Sequence, residues 1–125
     1  MPRDQRAYLA DVLDSCDAIE SATRNLDLKD YLKNRLVRSS VEREFIIIGE
    51  ALSALARIAP ETFRAITRAR RVIDLRNQLT HEYATVDDAL VWAIVQNDVP
   101  LLRRESAEFI DLLTSADEDD RIPEI

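Results

Sequence analysis

Residues 36–58 read LVRSSVEREFIIIGEALSALARI, and this stretch decides the class of fold. Its apolar residues recur every three or four positions, which is the spacing of one buried face of a helix. They are Val37, Val41, Phe45, Ile48, Leu52 and Leu55. Ile46 and Ile47 carry apolar surface to other faces, so we predict that this helix is buried on more than one side. In a chain this small a second subunit is the expected cover, and a central position in a monomeric bundle is the alternative.

Gly49, within the same stretch, is the only glycine of the chain. A glycine inside a helix costs about 1 kcal/mol relative to alanine. We therefore expect a neighbouring helix to approach closely at this position. Glu50 follows among apolar residues, and we expect it to be buried against an arginine.

Further helices are predicted on both sides of this stretch from apolar spacing and from capping residues. They run from Asp4 to about Arg24, briefly within 25–34 after an N-cap at Asp27, from Pro60 over a short piece, from about Thr67 towards Tyr83, from an N-cap at Asp87, and from a break at Asp98-Val99-Pro100 to about Ser115. Cys16, Leu79, Leu90, Ile94 and Leu112 are among the residues expected on their buried faces. Neither strand alternation nor an internal repeat is found, so the predicted fold class is all-α, an antiparallel helical bundle.

The composition fits one soluble domain. The chain has 125 residues, of which 46% are apolar, so we expect a single domain over residues 1–116 and an acidic tail over 117–125. Cys16 is the only cysteine, which excludes a disulfide within the chain. The apolar runs are too short to span a bilayer, and the N-terminus does not resemble a signal segment. These features predict a cytoplasmic protein without membrane contact.

The charge is distributed unevenly along the chain. A net charge of −7 argues against broad, nonspecific binding of nucleic acid. Residues 57–76, however, contain six arginines against only Glu61 and Asp74. Positive charge is therefore concentrated just before the segment that carries the candidate site.

That segment, residues 76–83, reads RNQLTHEY and contains His81, the only histidine of the chain. Histidine is the one unperturbed side chain that titrates near neutral pH. Together with Arg76 and Tyr83 it suggests a site directed at a phosphate. The alternatives are that His81 caps the helix or pairs with Glu82, that Arg76 pairs with Asp74 or is solvated, and that Tyr83 packs at a helix end.

Helical geometry places a condition on this site. If the helix continues through Tyr83, Asn77 and His81 share a face, whereas His81 lies about 140° from Arg76. Arg76 and His81 then cannot both point at one phosphate within one chain. Either the helix unwinds near Thr80 or a symmetry-related copy completes the site.

Several other chemistries are excluded by residue type. One histidine and one cysteine cannot form a zinc site of the ordinary kind, so no metal and no cofactor is expected. A single glycine cannot form a glycine-rich phosphate loop, and no strained serine turn supports a Ser-His-Asp triad.

The spacing of Arg76, His81 and Tyr83 resembles the signature of the HEPN superfamily, specifically that of the HepT-like toxins. Residues 42–52 (EREFIIIGEAL) resemble the central helix of the family, and residues 86–101 resemble the segment after its motif. The resemblance extends over about residues 5–115. One departure is the turn before the motif, where family members often carry an aromatic residue and this chain has Ala69-Arg70-Arg71.

The resemblance implies a homodimeric HEPN bundle that cleaves RNA without a metal. In such an endoribonuclease the neighbouring 2′-hydroxyl attacks the phosphodiester. Arg76 is then expected to stabilise the phosphate, His81 to act as acid or base, and Asn77 to position His81. Arg68, Arg70 and Arg71 are candidate substrate contacts, a solvated basic face being the alternative reading of these three.

The resemblance also implies a partner. In toxin–antitoxin pairs similar to type VII, a minimal nucleotidyltransferase antitoxin transfers AMP to the motif tyrosine, which is Tyr83 here. The predicted function is thus a ribonuclease toxin neutralised by such an antitoxin. The alternatives are a non-catalytic regulatory subunit of a nucleotidyltransferase that binds nucleotide or RNA, and a purely structural helical dimer.

Overall fold

The computed structural model describes residues 3–81 and 85–119, and every regular element in these ranges is an α-helix. The helices are α1 (Gln5–Thr23), α2 (Leu28–Lys33), α3 (Arg35–Ile58), α4 (Pro60–Ala65), α5 (Ala69–Thr80), α6 (Asp88–Asn97) and α7 (Val99–Asp119). The all-α prediction is confirmed. No described helix is both long and apolar enough to cross a membrane.

Local signals explain where several helices begin. The side chain of Asp27 accepts a hydrogen bond from the Asp30 N–H and forms a reciprocal capping box with it. Asp87 accepts from the backbone N–H groups of Ala89 and Leu90 at the start of α6. Pro60 occupies the first turn of α4, where its missing N–H is not needed. The predicted N-caps at Asp27 and Asp87 are thus confirmed.

Helix α3 is the centre of the bundle, with α1 and α5 packed against it and α7 packed against α1. The predicted buried faces of α1 and α3 form the core, together with residues of the later helices. Fully buried members of this core include Leu9, Val12, Cys16 and Ile19 on α1, Val41, Phe45, Ile48, Leu52 and Leu55 on α3, Val72 on α5 and Leu102 on α7. Burial raises the pKa of the Cys16 thiol to about 12, so Cys16 is a neutral core residue at physiological pH.

Two apolar residues that the sequence places on buried helix faces are exposed to solvent. Leu90 is 39% exposed and Leu112 is 63% exposed, because α6 and α7 bury narrower faces than their apolar content suggests. Helix α7 also continues beyond Ser115 to Asp119, and the Asp117 carboxylate forms an ion pair of 2.6 Å with Arg6 of α1. The rest of the predicted acidic tail, 120–125, lies outside the described residues.

The face of α3 between α1 and α5 has no helix of the described chain over it. Ile46 and Ile47 on this face are only partly buried, whereas Phe45 and Ile48 on the opposite faces are fully buried. Glu50 lies on the same open face and is exposed, so the prediction that it is buried is wrong for a single chain. The apolar surface of α3 therefore extends beyond what the bundle itself covers.

Candidate active site

Helix α5 ends one residue before His81. The Thr80 hydroxyl donates back to the Arg76 carbonyl oxygen at 3.0 Å, and the His81 N–H donates to the Gln78 carbonyl oxygen at 3.3 Å. His81 itself has extended backbone angles, φ −78° and ψ 124°. The expected helix through Tyr83 is therefore wrong, because the chain leaves the helix after Thr80. The described chain shows the unwinding near Thr80 that was one of the two alternatives, and a contribution from a second copy stays a prediction.

Arg76 is held against the central helix by a glycine. The side chain of Arg76 lies so close to Gly49 that a β-carbon built there would be 2.3 Å from the Arg76 Cβ and 2.6 Å from its Cγ. Only glycine leaves room for this approach. The predicted close contact at Gly49 is confirmed, and the neighbouring helix is α5.

Two hydrogen bonds fix the guanidinium of Arg76. Its Nη2 donates to the Ser53 hydroxyl oxygen at 2.9 Å, and its Nε donates to the Asn77 amide oxygen at 2.9 Å. Arg76 is partly buried, so part of its side chain remains accessible. An arginine held by only some of its five N–H donors can still present the others to a phosphate oxygen.

Asn77 makes a contact that the sequence did not predict. Its amide oxygen accepts a hydrogen bond of 2.9 Å from the Arg76 Nε. Asn77 lies four residues before His81, the C-cap residue of α5. A role for Asn77 in positioning His81 stays a prediction.

His81 lies at the C-terminal end of α5, five residues after Arg76, and is exposed to solvent. An accessible imidazole can exchange a proton with a bound phosphodiester. The predicted AMP acceptor Tyr83 and the possible His81 partner Glu82 lie outside the described residues. The structure thus describes the arginine and histidine of the motif but not its tyrosine.

Two of the three basic residues before the motif have partners elsewhere in the fold. The Arg71 Nε lies 3.0 Å from the buried carboxylate of Asp98, between α6 and α7. The Arg70 guanidinium lies over the Phe63 ring of α4, 5.5 Å from its centroid, and Arg68 is exposed at the N-cap of α5. Arg71 and Arg70 therefore have contacts within the fold, and substrate contact by Arg68, Arg70 and Arg71 stays a prediction.

An open groove of about 580 Å³ runs beside the end of α5. It is lined by Ser39, Glu42, Arg43, Ile46, Ile47 and Glu50 of α3 and by Leu79 of α5. Burial, followed by the nearby Asp88 carboxylate, raises the pKa of Glu42 above its ordinary value, and Arg38 opposes this shift. The groove therefore has one ionisable wall residue that holds a proton more readily than a free glutamate.

Sequence reasoning missed Ser53 and Glu42. Ser53 follows Gly49 by four residues, and two small residues at this spacing on one helix face allow another helix to approach closely. The spacing of Gly49 and Ser53 is therefore a sequence signal for the approach of α5 at both positions. The raised pKa of Glu42 could not have been found, because its causes, burial first and the Asp88 carboxylate second, depend on tertiary packing. Among the described residues, no group of three or more histidine, cysteine or acidic side chains is arranged to hold a metal ion.

An all-α bundle with an anchored arginine, and a histidine five residues later at the end of the same helix, is the arrangement expected of the HEPN class. A family profile described as "Ribonuclease HepT-like" matches residues 12–109. The chain belongs to this family of HepT-like ribonucleases, which confirms the resemblance and the predicted enzyme class.

Curated relatives agree with the family assignment. A Methanocaldococcus jannaschii protein provisionally named as an RNase is 34% identical over 82% of this chain and 94% of its own length. A second from the same organism, also provisionally named as an RNase, is 32% identical over 94% of this chain and 98% of its length. A Thermococcus cleftensis protein whose name gives ribonuclease HepT as its probable identity is 30% identical over 82% and 93%. No solved structure was found to match the chain.

Proposed function

We propose that this protein is a metal-independent endoribonuclease that acts as the toxin of a toxin–antitoxin pair in the cytoplasm. The observation that carries the proposal is the anchoring of Arg76 by Gly49, Ser53 and Asn77 within five residues of the only histidine. A guanidinium held in one orientation can stabilise charge on a phosphate without reorganising during the reaction.

The proposed reaction is a transesterification within the RNA. The 2′-oxygen bonds to phosphorus while the bond from phosphorus to the 5′-oxygen breaks, which leaves a 2′,3′-cyclic phosphate and a 5′-hydroxyl. His81 accepts the proton of the 2′-hydroxyl or donates one to the leaving oxygen, and Arg76 stabilises the charge on the phosphate oxygens. Asn77 keeps the guanidinium in place through its contact with Nε.

The proposal includes a homodimer. One chain has a single histidine, whereas base and acid steps on the two oxygens call for two proton-transferring groups. A second copy supplies another His81. The partly exposed Ile46 and Ile47 on the open face of α3 support this dimer, because their apolar surface is otherwise left in water.

Cleavage of RNA by the purified protein in the presence of a metal chelator tests the central claim. We expect total RNA and synthetic single strands to be cut in EDTA at the same rate as without it, with cyclic phosphate ends detected by mass spectrometry. Loss of cleavage in EDTA would contradict the metal-independent mechanism. Binding of RNA or nucleotide without any product would instead favour the non-catalytic regulatory subunit.

The proposed antitoxin is a minimal nucleotidyltransferase that transfers AMP to Tyr83. The hydroxyl oxygen of Tyr83 would bond to the α-phosphorus of ATP, with release of pyrophosphate and of the phenolic proton. Tyr83 follows His81 by two residues, so an adduct there would place a bulky anion beside the proposed phosphate site. Such an anion would repel and block the RNA backbone.

Intact-mass analysis tests this modification. Protein co-expressed with a cognate minimal nucleotidyltransferase should gain the mass of one or more AMP groups, mapped to Tyr83, and should lose RNA cleavage. Protein expressed alone should show the unmodified mass, and Tyr83→Phe should stay unmodified in both cases. An unchanged mass together with loss of cleavage in the mixture would mean that the antitoxin acts by steric blocking.

A further inference from the structure

The open face of α3 carries two opposite charges placed symmetrically about its middle. Arg43 and Glu50 are both exposed, and both line the groove together with Ile46 and Ile47. The point midway between Arg43 and Glu50 is also midway between Ile46 and Ile47. At about 100° per residue, these four side chains fall on one face of the helix.

Neither charge is satisfied within the part of the chain that the structure describes. There, the ion pairs and hydrogen bonds include no partner for Arg43 or for Glu50, although other arginines and acids of the surface are paired. Arg3 lines a small groove together with Glu50, but its guanidinium is bound to the Asp11 carboxylate at 2.7 Å. The two charges are therefore available to a second molecule.

From this symmetry we infer that two copies of the chain pack antiparallel along α3, with Arg43 of each copy paired to Glu50 of the other. The inference rests on the proposed homodimer and specifies its register. A two-fold axis between Ile46 and Ile47 packs the isoleucines of one copy against those of the other. It also forms two equivalent ion pairs, each between Arg43 of one copy and Glu50 of the other. The occupant of the open face is thus a second copy, because the face is complementary to itself.

This register also determines where the two motifs lie. Gly49 and Ser53 lie on the α5 side of the open face, whereas Ile47 and Ala51 line the groove towards α1. When a two-fold axis relates two antiparallel helices that pack face to face, the axis lies in the interface between them and is perpendicular to both. Rotation about this axis exchanges the helices but leaves each side of the interface on the same side. Both α5 helices therefore lie on the same side of the interface between the two α3 helices.

The consequence is one cleft lined by both copies of the motif. Gly49, which seats Arg76, is only about 4 Å along the helix axis from the proposed two-fold axis, at 1.5 Å per residue. The two arginines and the two histidines of the dimer then face the same RNA-sized cleft. With this register, two chains can share a site even though α5 ends at Thr80.

Charge reversal tests the register. Arg43→Glu and Glu50→Arg each turn two attractions into two repulsions, so each variant alone should dimerise at least about tenfold more weakly than the unchanged protein. Mixing the two variants should restore dimers as heterodimers, and the double variant should restore homodimers. Dissociation constants from sedimentation equilibrium at low salt measure all four cases.

The control is a charge pair of the same kind on another surface. Arg104→Glu and Glu108→Arg reverse exposed charges on α7, which packs mainly against α1, and should leave dimerisation unchanged. The register is overturned if the Arg43 and Glu50 variants dimerise like the unchanged protein, if mixing restores nothing, or if the unchanged protein is a monomer throughout.

RNA cleavage by the same samples separates this inference from the proposed function. Cleavage by the unchanged protein, together with no effect of charge reversal on dimers, would overturn the register and leave the nuclease standing. If the charge-reversal variants dimerise as expected but the unchanged protein cleaves no RNA, the register is supported and the nuclease is contradicted.

Discussion

RNA cleavage should fall by about 10²–10⁴-fold in a His81→Ala variant, the range typical for loss of a general acid or base. The substituted side chain is exposed and follows the end of α5, so the bundle should fold and melt like the unchanged protein. The measurement is the single-turnover rate on a synthetic RNA. A His81→Ala protein that cleaves at the full rate would remove His81 from the mechanism.

Arg76→Lys is the matching variant for the phosphate contact. Lysine keeps an aliphatic stem beside Gly49, but it lacks the fork that reaches Ser53 and Asn77. We expect a loss of about 10²–10³-fold, comparable to removal of one donor that stabilises a transition state. Arg104→Lys, at an exposed position of α7, is the control and should retain full activity.

Mixed dimers of these two variants decide whether each site is shared. If Arg76 of one chain works with His81 of the other, a heterodimer of Arg76→Lys and His81→Ala contains one intact pair. Because this heterodimer has one histidine where the proposed mechanism uses two, cleavage should return only in part on mixing. If both residues act within one chain, both sites of the heterodimer stay defective. Cleavage no faster than that of either variant alone, in demonstrated heterodimers, would contradict a pairing of one Arg76 with one His81 across the two chains.

Gly49→Ala should damage both the stability and the activity of the protein. The added β-carbon would meet the Cβ and Cγ of Arg76, which cannot rotate away like the end of a flexible side chain. Helices α3 and α5 must then separate. Such overpacking costs about 1–3 kcal/mol, whereas the better helix propensity of alanine returns at most about 1 kcal/mol.

The same displacement moves the guanidinium, and a misplacement of about 1 Å can cost about 10²-fold in rate. Urea unfolding should therefore show a lower free energy of unfolding, and RNA cleavage should fall further than stability alone explains. Ser40→Ala, at an exposed position of the same helix, is the control and should change neither quantity. A Gly49→Ala protein with unchanged stability and full activity would show that the close approach of Arg76 is dispensable.

Much of the fold could be predicted because its signals are local. Apolar spacing placed α1 and α3, and the capping residues Asp27 and Asp87 placed the starts of α2 and α6. The errors arose where tertiary packing selects which apolar side chains are covered. Leu90 and Leu112 have the right spacing for burial, but the described part of the chain leaves 39% and 63% of them exposed.

The candidate site could be predicted in part. Arg76 and His81 were identifiable from residue type and spacing, and the family assignment agrees with that motif. The end of α5 was predicted wrongly, because it depends on the hydrogen bonds that the last turn makes with its own backbone. The Thr80 hydroxyl bonds to the Arg76 carbonyl, and the chain is extended at His81.

The sequence by itself determined the helical class, the central helix, the motif and the excess of apolar surface on α3, because each of these depends on residues close together in the chain. Only the tertiary structure decided what holds the arginine of the motif. Ser53 and Gly49 belong to α3 and Arg76 to α5, and their contacts exist only when the two helices pack. Spacing along one helix cannot specify the distance to another, which depends on side-chain volumes at the point of contact.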